Sequence, residues 1–176
     1  MIDLEQLRFP VGQFQFSGAA TTAEIQNWID EIANLPIQLR KAVRKLTEAE
    51  LDIPYRPEGW TTRQVVHHIA DSHINAYVRF KLALTEDAPK IKPYDESQWA
   101  ELSDTFETPI EVSLQLITAL HQRWVILLRN LGKIDLEKIF LHPEHGTAFR
   151  LDETIATYAW HGRHHLGHIN LVTTLK

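Results

Sequence analysis

Apolar residues return every three or four positions over four long stretches of this chain, with polar residues filling the faces between. That spacing marks amphipathic helices. From Thr21 to Thr47, the residues Ile25, Trp28, Ile29, Ile32, Leu35, Leu39, Val43 and Leu46 fall near one face. Pro36 lies inside this run and predicts a kink or a restart, because proline has no N–H to donate. A second helix opens at Trp60-Thr61-Thr62, with a threonine as N-cap, and runs to about Leu84. A third spans about Pro109 to Leu131, with Val112, Leu116, Leu120, Trp124, Leu127 and Leu131 as its apolar set. A fourth covers about Leu151 to Leu175.

The segments between read differently. Residues 1–20 carry Phe9, Val11, Phe14 and Phe16 broken by Pro10 and Gly12, which predicts an extended arm packed on the body rather than a helix. Ile53-Pro-Tyr-Arg-Pro-Glu-Gly59 is turn chemistry. Residues 86–107 hold Pro89 and Pro93 and form a long connection, with a short helix around Glu96–Leu102. Residues 139–150 predict a short hairpin around Gly146. There is no internal repeat. Four long helices in 176 residues predict an all-α fold, one four-helix bundle over residues 1–176. Such bundles build metal sites from side chains on facing helices.

Composition narrows the partners. A net charge of −5 without a basic stripe argues against nucleic acid. No stretch approaches the roughly 18 apolar residues of a membrane span, and the acidic N-terminus lacks signal-peptide character. The absence of cysteine excludes disulfides and thiolate ligands. The expectation is a soluble, cytoplasmic protein acting on a small molecule.

Histidine changes the picture further. Four of the ten, His161, His164, His165 and His168, fall in eight positions of the last helix. At about 100° per residue, His161 and His165 lie at the edge of the apolar arc that holds Ile155, Tyr158, Ala159, Leu166 and Ile169. His168 and His164 turn progressively away. His161 and His165 are four apart, the spacing that stacks two side chains on one face. On the second helix His68 lies at the edge of the apolar arc, and His67 points about 100° the other way, toward solvent or a partner. His68 is therefore the third candidate ligand. Ser72, Asn75 and Arg79 share its stripe, as a site mouth or as an ordinary polar flank. His73 reads as a core histidine, and His121 as a flank of the third helix. His142 and His145, in the hairpin, are either solvated or a lid. Tyr158 and Trp160 read as core. Three imidazoles without a carboxylate match a catalytic zinc site with an open fourth position. Asp71 is a weak candidate acceptor for the outer N–H of a ligand. There is no His-Glu-x-x-His, and Gly162 follows His161, so no general base is built into the motif.

Pro54-Tyr-Arg-Pro-Glu-Gly-Trp-Thr-Thr-Arg-Gln-Val-Val-His-His-Ile-Ala-Asp-Ser-His73 closely resembles the YfiT-type metal-dependent hydrolases of the DinB superfamily. Arg79-Phe-Lys-Leu82, Pro93-Tyr-Asp95, His121-x-Arg-Trp124, His142-Pro143, Trp160-His-x-x-His-His-Leu-x-His-Ile169 and Phe9-Pro-Val-Gly12 extend the resemblance over nearly the whole chain. It implies a DinB-like four-helix bundle, often a homodimer, with one divalent metal, zinc or nickel, on three histidines. Carried over by position, these are again His68, His161 and His165. The activity implied is hydrolysis by a metal that activates water or substrate. Related members of the superfamily join low-molecular-weight thiols to electrophiles, so a bacillithiol-type thiol S-transferase is the alternative. A non-catalytic metal-binding bundle is the third reading.

Overall fold

Three threonines start helices in one way. Thr21, Thr47 and Thr61 each accept a hydrogen bond from the backbone N–H three residues on, while Glu24, Glu50 and Gln64 reach back to the threonine N–H. The computed structural model describes residues 3–144 and 146–174. Its long helices are α2 (Thr22–Val43), α4 (Thr62–Thr85), α7 (Ile110–Arg129) and α9 (Leu151–Thr174). Shorter ones are α1 (Leu4–Arg8), α3 (Glu48–Leu51), α5 (Glu96–Trp99), α6 (Ser103–Glu107) and α8 (Lys133–Leu136). β1 (Ile139–His142) and β2 (Thr147–Arg150) pair antiparallel, with Phe140 opposite Phe149.

Several boundaries move from those the pattern predicts. The arm begins with a turn of helix, Leu4–Arg8, that the proline and glycine after it obscure. The first long helix stops at Val43, because Thr47 serves as the cap of α3 instead of continuing α2. Pro36 neither ends nor restarts α2, which is continuous across it. Having no N–H, Pro36 leaves the Ile32 carbonyl unpaired four residues back. His121 of α7 donates to that oxygen from Nδ1 at 2.6 Å.

Each long helix packs on two others: α2 on α7 and α9, and α4 on α7 and α9. The chain therefore crosses the bundle diagonal between α2 and α4, and again between α7 and α9. The apolar core comes in two clusters. One gathers Ile32, Phe80, Trp124 and Ile155; the other gathers Leu39, Val65, Ile69, Ile117 and Ile169. On α4, α7 and α9 the histidines His73, His121, His161 and His165 fall between the residues of the two clusters, so a polar layer divides the core. Two glycines let other segments close on α9. A Cβ on Gly162 would lie 2.8 Å from Leu35 Cδ2, and one on Gly167 would lie 2.7 Å from Pro10 Cγ.

Candidate metal centre

α4 and α9 are neighbours, and their facing sides bring His68, His161 and His165 together. One imidazole nitrogen from each lies within 4.8 Å of the others. His68 Nε2 and His161 Nε2 are 3.2 Å apart. Two nitrogens bound at 2.0–2.1 Å to a tetrahedral zinc ion would be separated by about 3.3 Å, so this pair already has the spacing of two ligands on one ion. Burial holds the three imidazoles in the form that can ligate. It pushes His68 down to about 4, and His161 and His165 well below the ordinary histidine value, with the neighbouring histidines adding to the effect. The rings pack edge to face, His161 on His165 at 4.4 Å and His68 on His165 at 4.8 Å.

The three rings form part of the wall of a cavity of about 390 Å³. Trp60, Ser72, Arg79, Tyr94, Tyr158 and Trp160 line it as well, with Glu96, His142, Glu144 and His164. The loop before α5 is tied to the hairpin, since Ile91 N–H donates to Leu141 O and Leu141 N–H to Pro89 O. That tie carries Tyr94, Glu96, His142 and Glu144 to the same opening. Burial raises the pKa of the hydroxyls of Tyr94 and Tyr158, which stay protonated donors at neutral pH. A larger cleft, about 480 Å³, runs along Lys41, Arg44 and Lys45 and holds no histidine.

Four histidines lie where their own helix periodicity does not place them. His67 is buried against α7, donating from Nε2 to Thr108 O (3.2 Å) and accepting from the Ser113 hydroxyl at Nδ1 (2.7 Å). His164 and His168, read as outward, are 9% and 2% exposed. The arm and the α3–α4 turn cover them: Phe9 packs on His164, beside Trp160 of α9 itself, and Tyr55 stacks on His168 at 3.8 Å. His121 is not a flank but a core residue, 2% exposed. His73 is the core histidine expected, its Nδ1 at 2.8 Å from His121 Nε2 and its Nε2 at 3.1 Å from His161 Nδ1. Asp71 makes no hydrogen bond to His68. Burial first, and then the carboxylate of Asp104, push its pKa up to about 6. Of the predicted mouth residues, Ser72 and Arg79 line the cavity, while Asn75 instead donates to Asp71 O. His145 lies outside the described residues. His164, His165 and His168 form a second group whose donor atoms lie within 4.8 Å.

The sequence profile of the DinB superfamily matches residues 31–169. The chain belongs to the DinB superfamily. A relative in Oceanobacillus iheyensis, named "Putative metal-dependent hydrolase OB0782", is 54% identical over 169 residues, covering 96% of this chain and 97% of its own length. A Bacillus mycoides protein of the same description is 53% identical over 166 residues, covering 94% and 95%. Among solved structures, YfiT from Bacillus subtilis superposes with a TM-score of 0.94 at 40% identity, covering 97% of both chains. It is described as "a probable metal-dependent hydrolase with an unusual four-helix bundle topology". In the present chain the bundle is crossed along its diagonals, and its histidine groups could hold a metal ion. Among the described residues, no helix is long and apolar enough to cross a membrane.

Proposed function

We propose that this chain is a metal-dependent hydrolase whose His68, His161 and His165 hold one divalent ion, zinc or nickel. The observation that carries the reading is the convergence of three neutral imidazoles, with no carboxylate among them, on the wall of a cavity. A divalent ion there would supply Lewis acidity, lowering the pKa of water or polarising a carbonyl or phosphoryl oxygen. The chain's own groups do the rest. Arg79 offers a cation to a negatively charged substrate, and the protonated Tyr94 and Tyr158 hydroxyls can donate to an oxygen that gains charge in the transition state. The cavity admits a small molecule.

Purified protein should carry about one ion per chain, and His165→Ala should lose nearly all of it, because two ligands make a weak site. Equal metal content in the two would remove His165 from the set. A panel of esters, amides and phosphoesters should reveal metal-dependent turnover; silence across the panel would end the hydrolase reading.

One observation favours a second reading. The two carboxylates at the cavity, Glu96 and Glu144, are exposed rather than set beside the histidines. A thiol cosubstrate activated as a thiolate would need no buried base, so a low-molecular-weight thiol S-transferase fits the same cavity. Metal-dependent joining of bacillithiol or glutathione to monobromobimane would select it.

A further inference from the structure

Two backbone carbonyls determine where the hydrogens sit on the histidines around the cavity. A carbonyl oxygen only accepts, so His121 Nδ1, 2.6 Å from Ile32 O, carries its ring's hydrogen. A neutral imidazole has one N–H, which leaves His121 Nε2 bare. His73 Nδ1, 2.8 Å away, donates to it and leaves His73 Nε2 bare. His161 Nδ1, at 3.1 Å from that nitrogen, donates in turn, so His161 Nε2 has no hydrogen. The second series is shorter. His168 Nε2 donates to Arg8 O at 3.1 Å. His168 Nδ1 is then bare and accepts from His165 Nδ1 at 3.4 Å, which leaves His165 Nε2 bare.

We propose that these two hydrogen-bond series, anchored on Ile32 O and Arg8 O, lock His161 and His165 as Nδ1–H tautomers and turn an unprotonated Nε2 of each toward the cavity. His73, His121 and His168 are positioning residues that act through the two rings. The inference rests on the reading of His68, His161 and His165 as the metal-holding set. Neutrality of the intermediate rings follows from their place: His73, His121 and His168 are 0%, 2% and 2% exposed, and none of their hydrogen-bond partners is a carboxylate. Both anchoring oxygens are free because a helix fails to use them. Pro36 withholds the N–H that would pair with Ile32 O, and Arg8 is the last residue of α1, whose carbonyl has no partner within that helix.

The third ring differs. His68 Nε2 faces the bare His161 Nε2 at 3.2 Å, so the hydrogen between them sits on His68. Of the three, only His68 has to give up a hydrogen at the atom that faces its neighbours. The second donor group is also affected. An ion on His164, His165 and His168 would need the His168 lone pair that already accepts from His165, or would have to break the contact to Arg8.

The test is the ¹⁵N spectrum of the ring nitrogens in chelator-treated protein at neutral pH, assigned through single histidine variants. His121, His73, His161 and His165 should show Nδ1–H with bare Nε2; His168 and His68 should show Nε2–H. An Nε2–H form of His161 or His165 overturns the proposal, as does a second ion per chain on His164, His165 and His168. His168→Phe should populate the other His165 tautomer and weaken zinc binding about 10–100-fold. His168→Gln, whose side-chain carbonyl can accept, should restore the Nδ1–H form. An unchanged His165 spectrum in His168→Phe would also overturn it. The expected tautomers in a protein that takes up no metal would support the two series and remove the metal reading instead.

Discussion

At the scale of single residues, burial decides more than helical position does. Asp71 shows it. A carboxyl with a pKa of about 6 in the folded protein, against 3.8 ordinarily, binds more protons folded than unfolded between those values. Folding stability therefore falls as pH rises through that window, and the penalty is complete above about 6. Asp71→Asn should raise stability at pH 7.5 by about 1 kcal/mol, discounted for a half-exposed group, and by less at pH 5. Urea midpoints at the two pH values check it, and an unchanged difference would mean that the Asp104 carboxylate and burial do not act on Asp71. The same physics marks what the sequence discloses. Periodicity picks out His68, His161 and His165 as residues at the edge of an apolar arc, and the structure brings these three together. It places His164 and His168 outside because a helical period describes burial against one core only. The face they occupy is covered by Phe9 and Tyr55, from segments with no period of their own.

At the scale of elements, the four long helices are legible because each carries its own stripe and two of their caps are spelled out, as Thr-x-x-Glu before α2 and Thr-x-x-Gln before α4. Pro36 is where local reading goes astray. A proline inside a helix predicts a break, and the break is absent because the carbonyl it strands finds a donor on α7. That compensation is tertiary and has no signature near Pro36. Pro36→Ala would supply an N–H to Ile32 O and improve α2 by up to about 3 kcal/mol in helix propensity. The new amide would compete with His121 for the oxygen. We expect higher thermal stability together with several-fold weaker zinc binding, measured by calorimetric titration. Gains in both would show that Ile32 O serves the amide and the imidazole equally well. Tyr94, Glu96 and Glu144 were invisible as site residues for a related reason: they reach the cavity through the hydrogen bonds that tie the loop before α5 to the hairpin.

At the scale of the whole molecule, a polar layer of histidines inside an apolar bundle makes the fold sensitive to acid. His67 is held below its ordinary value by burial, and His121 is pushed down to about 4 by the same cause. Below about pH 6.5 the unfolded chain takes up protons that the folded one refuses, so stability drops as pH falls. Between those values a histidine pushed down to about 4, as His121 is, contributes a slope approaching about 1.4 kcal/mol per pH unit. With chelator present, the denaturant midpoint should fall steeply between pH 7 and pH 5, and His121→Gln should flatten the curve. A midpoint independent of pH over that range would contradict the buried, neutral layer. The homodimer implied by the family resemblance is an expectation at this scale, open to sedimentation analysis.

The series that begins at His161 passes through His73 and His121 and ends on Ile32, so it touches α9, α4, α7 and α2 in turn. α2 supplies no candidate ligand, yet it is wired to one. Linkage then makes occupancy of the centre a property of the entire bundle: an ion at 100 times its dissociation constant adds about 2.7 kcal/mol to folding. That gain should appear as slower amide exchange in α2 as well as in α4 and α9. In His121→Phe the protection of α2 should stop following the metal, while α4 and α9 continue to respond.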